Sequence, residues 1–315
     1  SQVRADVLDA WFPPAPRVLS VLSRHLATIC NTSPEVEPVS LRRAIASWRG
    51  LPEDSVLVGP GASSLIHSCL PKFVADCRHA AVLDPTYSEY PYLLEERLGM
   101  RLCRIPEQLP DTEDLSGADA LVVVNPNNPT GRVIDAQAIV AGLSSRQRLW
   151  VDETYLEYTS APSVEQVAAA QRNVVVCKSL SKTLALSGLR IGYLVGHPET
   201  LRTLAPEQHP WPISLPAQVA TMAAIEDPTY YRNRYADTRS ARKDLAESLR
   251  AIQTEINCVL LPRPDATEFA RRLAQENIFV RDLGNGMLRI AVRPRPESWK
   301  MIQTIHRLDP STMDP

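Results

Sequence analysis

The sequence predicts an α/β protein with a large domain built on a mostly parallel sheet between helices and a smaller α+β domain. Two observations carry this. Short, β-branched apolar runs alternate with longer helical patterns through the middle of the chain, and after about Asp227 that alternation gives way to a different one. The runs are Ser55–Val58, Ala80–Leu83, Ala120–Val124, Leu149–Val151, Asn173–Cys177 and Ile191–Val195. Leu41–Trp48, Ser63–Val74 and Ala136–Leu143 read as helices before or between them. Strands apolar on both faces and joined by helices imply a buried, largely parallel sheet. Pro228–Arg250 is a long charged helical stretch. Strands at Cys258–Leu261, Ile278–Val280 and Leu288–Val292, with a helix near Thr267–Glu276, complete a short antiparallel unit. The expected division is residues 40–227 for the large domain, with 1–39 and 228–315 forming the small one; the proline-punctuated N-terminal stretch is expected to pack against the latter.

The 315 residues carry a net charge of -2 and 44% apolar content, ample for a large core. Basic residues are scattered rather than clustered, which argues against a nucleic-acid partner. The six cysteines are dispersed without metal-ligand spacing, so no metal is expected. Dispersed cysteines and an N-terminus without an apolar signal core fit the cytoplasm. No window approaches the roughly 18 apolar residues of a membrane span.

Parallel sheets place ligands at the C-terminal ends of their strands. Polar clusters follow four of the runs: Asp84-Pro-Thr-Tyr87, Asn125-Pro-Asn-Asn-Pro-Thr-Gly131, Asp152-Glu-Thr-Tyr155 and Ser179-Leu-Ser-Lys182. Lys182 is the most informative residue. Ser179 and Ser181 precede it and Arg190 follows, so an amine able to form a Schiff base sits among hydroxyls and a guanidinium able to hold a dianion. That combination suits pyridoxal 5'-phosphate. Asp152 could face the cofactor's protonated ring nitrogen, Asn128 and Tyr155 its phenolate oxygen, and Tyr87 its flat face. Gly59-Pro-Gly-Ala-Ser-Ser64 joins a strand to a helix and offers the amides of Ala62 and Ser63, with the Ser63 hydroxyl, to a phosphate. Each residue has an ordinary structural reading beside this one. Asp152 could cap a helix, Asn128 could serve only a Pro/Asn turn, Tyr155 could be a core tyrosine and Tyr87 a loop aromatic. A glycine-rich turn alone is weak evidence.

Taken together, these stretches, with Gly188-Leu-Arg-Ile-Gly-Tyr193, resemble the fold-type I, pyridoxal-phosphate-dependent class I/II aminotransferases. Within them the chain is most similar to the branch of histidinol-phosphate aminotransferase and threonine-phosphate decarboxylase. The likeness spans nearly the whole chain and implies a seven-stranded large-domain sheet and a homodimer. It makes Lys182 the Schiff-base lysine and proton shuttle, and Asp152 the partner of the ring nitrogen. It has Asn128 and Tyr155 bind the ring oxygen and Tyr87 stack on the ring, while Ala62, Ser63, Ser179, Ser181 and Arg190 hold the phosphate. Arg289 would clamp the substrate carboxylate, a bidentate task that suits a guanidinium, unless it is simply an arginine on a solvated strand face. Arg281 would be a second substrate-side arginine, with Asn128 also near the substrate.

The expected reaction moves an amino group between an L-amino acid, phosphorylated ones included, and a 2-oxo acid. The rival reactions on the same cofactor are decarboxylation, elimination or replacement, and oxidation. A non-catalytic cofactor-binding regulator is the reading from another class, and no DNA-binding segment supports it. Two departures stand out. Relatives have a Tyr-Pro pair where this chain reads Thr32-Ser-Pro34, so a tyrosine that reaches the neighbouring subunit's cofactor is replaced by Ser33. The chain is also compact for the family, which implies trimmed substrate-recognition loops, the segment from Arg281 to Arg289 being shorter than usual in that branch, and a specialised biosynthetic role.

Overall fold

A computed structural model describes residues 2–107 and 117–310. Its strands, in chain order, are β1 (Val3–Ala5), β2 (Val56–Gly59), β3 (His79–Asp84), β4 (Arg101–Pro106), β5 (Ala120–Val124), β6 (Arg148–Asp152), β7 (Val174–Ser179), β8 (Gly192–Gly196), β9 (Ile252–Gln253), β10 (Cys258–Pro262), β11 (Ile278–Asp282) and β12 (Met287–Ala291). The main helices are α1 (Pro16–Asn31), α2 (Val39–Arg49), α3 (Ala62–Phe73), α4 (Ala136–Gly142), α5 (Glu165–Ala170), α6 (Leu180–Thr183), α7 (Pro198–Leu204), α8 (Leu215–Ile225), α9 (Pro228–Leu249), α10 (Ala266–Gln275) and α11 (Arg295–Leu308).

The large sheet has seven strands in the order β2-β8-β7-β6-β5-β3-β4. All run parallel except β8, which pairs antiparallel with both β2 and β7. Side chains alternate across the sheet, and both faces are apolar here. Leu149, Val151, Val174 and Val176 enter one core, shared with α2 and α8. Trp150, Val175 and Cys177 enter another, shared with α3. That two-sided burial is why these strands read as unbroken apolar runs.

The smaller sheet has five strands in the order β1-β11-β12-β10-β9. Leu245 and Leu249 of α9, Phe269 and Leu273 of α10 and Met301 and Ile305 of α11 pack against it. The N-terminal stretch is divided, in contrast to the expectation that all of it joins the small domain. Only β1 joins this sheet, pairing parallel with β11. Leu8, Phe12, Ala15 and Val18 enter the large-domain core instead, and the phenol of Tyr231 on α9 receives the Ala15 amide. The cause is the apolar content of residues 8–18, which is buried against α8 and α9.

Candidate active site

One cavity of about 530 Å³ opens where the C-terminal ends of the parallel strands face the small sheet, within the usual range for a small-molecule site. Ala62, Ser63, Tyr87, Asn128, Asp152, Tyr155, Ser179, Lys182, Arg190, Arg281 and Arg289 all line it. Residues up to 227 positions apart in sequence, from Ala62 to Arg289, thus line one cavity.

Asp152 ends β6 and is 4% exposed. Its Oδ2 accepts from the Tyr90 hydroxyl at 2.8 Å and its Oδ1 from the Thr154 amide at 2.9 Å. Trp150 Nε1 in turn donates to the Tyr90 oxygen at 3.1 Å. Burial pushes the Asp152 carboxyl above its usual range, with Thr154, Tyr90 and Lys178 offsetting part of the rise. A buried carboxylate of this kind gains from a cation placed beside it. Tyr155 is also buried; burial pushes its phenol well up, so it stays a proton donor across ordinary pH. Tyr87 packs edge-on to Tyr90 with ring centroids 6.0 Å apart. Its hydroxyl is pushed up by burial, and the Ser63 hydroxyl meets it.

The anion end is built from backbone. Gly61 precedes α3 with φ +91°, and a Cβ there would come 2.8 Å from Arg190 Nη2. Gly192 is tighter still: a Cβ would lie 2.7 Å from the Lys178 carbonyl oxygen and 2.8 Å from the Ala62 nitrogen. Only glycine lets β8 approach the N-terminus of α3 this closely. Arg190 itself sits at φ 53°, with Nη1 on the Ser187 carbonyl at 3.1 Å. Such strain in a non-glycine residue is typical of functional sites. Open α3 amides, a guanidinium and the Ser63 and Ser179 hydroxyls make a set of donors suited to a phosphate. Ser181 does not share in it: its hydroxyl donates to the Ile191 carbonyl at 3.2 Å and it does not line the cavity. The reason is local, since Ser181 lies on the inner side of α6 against the start of β8.

On the opposite wall, Arg289 Nη1 donates to Asn128 Oδ1 at 2.6 Å and Nη2 to the Asp6 carbonyl at 3.0 Å, while its buried Nε has no partner among the described residues. Arg281 stands directly opposite Arg289 in the β11–β12 register. Thr86, another cavity residue, keeps a buried hydroxyl without a partner among the described residues. Lys182 Nζ donates to Asp9 Oδ1 at 2.6 Å.

The family model for aminotransferase class I and II matches residues 6–307. The chain belongs to this family. It is an aminotransferase, and pyridoxal 5'-phosphate is its cofactor. A histidinol-phosphate aminotransferase of Chlorobium phaeovibrioides is 28% identical over 84% of this chain and 78% of its own. An aromatic amino acid aminotransferase of Corynebacterium efficiens is 30% identical over 94% and 90%. Among solved structures, histidinol-phosphate aminotransferase from Sinorhizobium meliloti in complex with pyridoxal 5'-phosphate superposes with a TM-score of 0.85 at 21% identity, covering 98% of this chain and 91% of that one. The residues present fit the cofactor: hydroxyl, amide and guanidinium donors gathered where Gly61 and Gly192 allow close approach, a buried carboxylate at Asp152, and an amine at Lys182.

Sequence reasoning did not find Tyr90, Thr86 or the N-terminal residues 6–9. Tyr90 lay within reach, three positions after Tyr87, but nothing local reveals that its hydroxyl meets a carboxylate 62 residues away. Asp9 carries no motif at all.

Proposed function

We propose that this aminotransferase takes an L-amino acid carrying a second anionic group, a phosphorylated one included, and passes its amino group to a 2-oxo acid. The observation that carries the reading is the pairing of Arg281 with Arg289 across β11 and β12, both lining the cavity. Like charges directly opposite on one sheet face are unfavourable, so two guanidinium groups held there are best accounted for by two anions arriving between them.

In this reading the cofactor supplies the electron sink that makes the substrate's Cα–H acidic. The protein does the rest. Asp152 holds a positive charge at the ring nitrogen. Asn128 and Tyr155 would donate to the ring oxygen, Tyr87 would cover the ring, and the amides of Ala62 and Ser63 with the Ser63 and Ser179 hydroxyls and Arg190 would hold the phosphate. Lys182 would anchor the cofactor and, as a free amine, would move the Cα proton as a general base. Arg289 orients the substrate carboxylate, pre-set by Asn128 and the Asp6 carbonyl, and Arg281 meets the distal anion.

A purified holoenzyme assayed with matched donors, with and without phosphate, tests this. Arg281→Ala is expected to lower kcat/KM for the phosphorylated donor about 100-fold, the scale of a lost charge-assisted pair. The plain donor should change by no more than about threefold. Equal losses on both donors would sink the assignment of Arg281 to a distal anion.

We also place the enzyme in the reducing cytosol as a homodimer. The six cysteines are free. Val36 and Trp211, 54% and 55% exposed, are joined through the Trp211 amide on the Val36 carbonyl and give an apolar surface suited to a second copy. Ser33 lies exposed nearby, in the loop after α1.

A further inference from the structure

We propose that Asp9 is the positioning residue of Lys182, its carboxylate holding the lysine's ammonium whenever the amine is not bonded to the cofactor. The proposal rests on Lys182 being the cofactor-bearing amine, and it assigns a role to a residue from the far end of the chain.

Asp9 is the ion-pair partner of Lys182 among the described residues, with Nζ to Oδ1 at 2.6 Å. The Ser187 hydroxyl donates to the same oxygen at 2.8 Å. The backbone beneath is held as well: Asn257 Nδ2 donates to the carbonyls of Leu8 and Asp9, each at 3.3 Å. Asp9 therefore does not meet Lys182 as a loose surface acid; three elements fix it. Burial would raise its carboxyl, but Lys182, Ser187 and Arg293 together hold it below the usual range. Lys182 is 26% exposed and Asp9 42% in their side chains, so water screens the pair only in part. The other charged or titratable groups near this pair are Arg293 and Tyr158, which interact with the Asp9 charge, the Tyr158 hydroxyl also donating to the Lys182 carbonyl, and, lining the same cavity as Lys182, Asp6, Asp152, Tyr155, Arg190, Arg281, Asp282 and Arg289.

An ammonium partner acts in two opposite ways. Loading the cofactor requires the neutral amine: the ammonium gives a proton to water, the nitrogen lone pair attacks the aldehyde carbon, and the carbonyl oxygen leaves as water. The Nζ–Oδ1 bond must open before that attack, so Asp9 slows the step. During turnover the lysine would take a proton from the substrate Cα, and Asp9 would then hold the nitrogen in place near the carbon that needs a proton back.

The test follows pyridoxal 5'-phosphate added to cofactor-free protein at pH 7, read as the rise of the visible absorbance band, together with steady-state kinetics of the reloaded enzyme. Asp9→Asn is expected to load about fivefold faster, the worth of a partly exposed ion pair, and to lose about tenfold in kcat with KM within twofold. Ser187→Ala should move both quantities in the same directions by about twofold. Loading at the wild-type rate or slower in Asp9→Asn would overturn the proposal. If that variant does not fold, unchanged loading in Ser187→Ala overturns it instead. A band forming in Lys182→Ala would remove the lysine assignment beneath it, an outcome separable from the behaviour of Asp9.

Discussion

At the scale of single residues, the site divides by how far each side chain's partner lies along the chain. Lys182, Asp152, Tyr155, Asn128 and Arg190 could be picked out because each sits in a short cluster at a strand end, where chemistry and turn-forming residues coincide. Their partners could not. Tyr90 reaches Asp152 from 62 positions away and Asp9 reaches Lys182 from 173. Tyr90 makes a specific prediction. Its hydroxyl both donates to Asp152 and accepts from Trp150, so Tyr90→Phe leaves two buried groups short of a partner. Removing a hydrogen bond to a buried charged group costs about 1.5–3 kcal/mol. Thermal melts of the cofactor-free protein should show that loss, and equilibrium dialysis should show cofactor affinity falling about tenfold. Ser181 illustrates the converse, a motif residue whose hydroxyl is spent on the Ile191 backbone.

Between elements, the ends of β6 and β7 are held by a buried charge cluster beneath the cavity. Lys178 is 1% exposed and meets Glu153 at 3.2 Å and Glu157 at 2.7 Å. Arg49 pairs with Glu165, whose other oxygen receives the Tyr193 hydroxyl at 2.8 Å. Burial alone would lower the Lys178 ammonium, but Glu157, Glu153 and Glu165 hold it above its ordinary value. Removing one member strands the rest, so Lys178→Met is expected to destabilise the fold by about 3–5 kcal/mol in urea titration. The same cluster sets a pH dependence. Burial would raise Glu165, yet Lys178 and Arg49 hold its carboxyl below the usual range. A carboxyl depressed in the folded state adds stability above its unfolded pKa, and that stability is lost as pH falls through the folded value. Melts of Glu165→Gln between pH 7 and 4 should therefore fall less steeply than those of the wild type. Gly192→Ala belongs here too. Its Cβ would meet only backbone atoms of β7 and the α3 N-terminus, so cofactor affinity should drop at least tenfold, measured by the same dialysis. Most of these elements were legible from alternation of apolar runs. The edge strand β4 was not, because its side chains are mostly exposed. Helix α8 was not either, since it is apolar on nearly every side and shows no 3.6-residue stripe.

Across the whole molecule, the N-terminal segment ties the two sheets together. β1 belongs to the small sheet, the residues after it line the cavity, and those from Leu8 onward enter the large core. Periodicity does not reveal this, because a short segment with proline punctuation gives no repeat to read. The exposed Val36 and Trp211 make a prediction at this scale. Size-exclusion chromatography with light scattering should give a dimer, and Trp211→Glu should shift it toward the monomer while leaving the far-UV spectrum unchanged. A wild-type monomer with full turnover would refute the assembly.

The antiparallel run of β8 has one more consequence. Because β8 returns beside β7, the connection between them carries both Lys182 and Arg190. Trypsin cuts after Lys178 and after Arg190, and a lysine whose nitrogen has been alkylated is no longer a cleavage point. Borohydride treatment of the holoenzyme should therefore leave the cofactor on a single fragment, Ser179–Arg190, so that one mass in a peptide map tests the proposed anchor at Lys182 on the fragment that also carries Arg190.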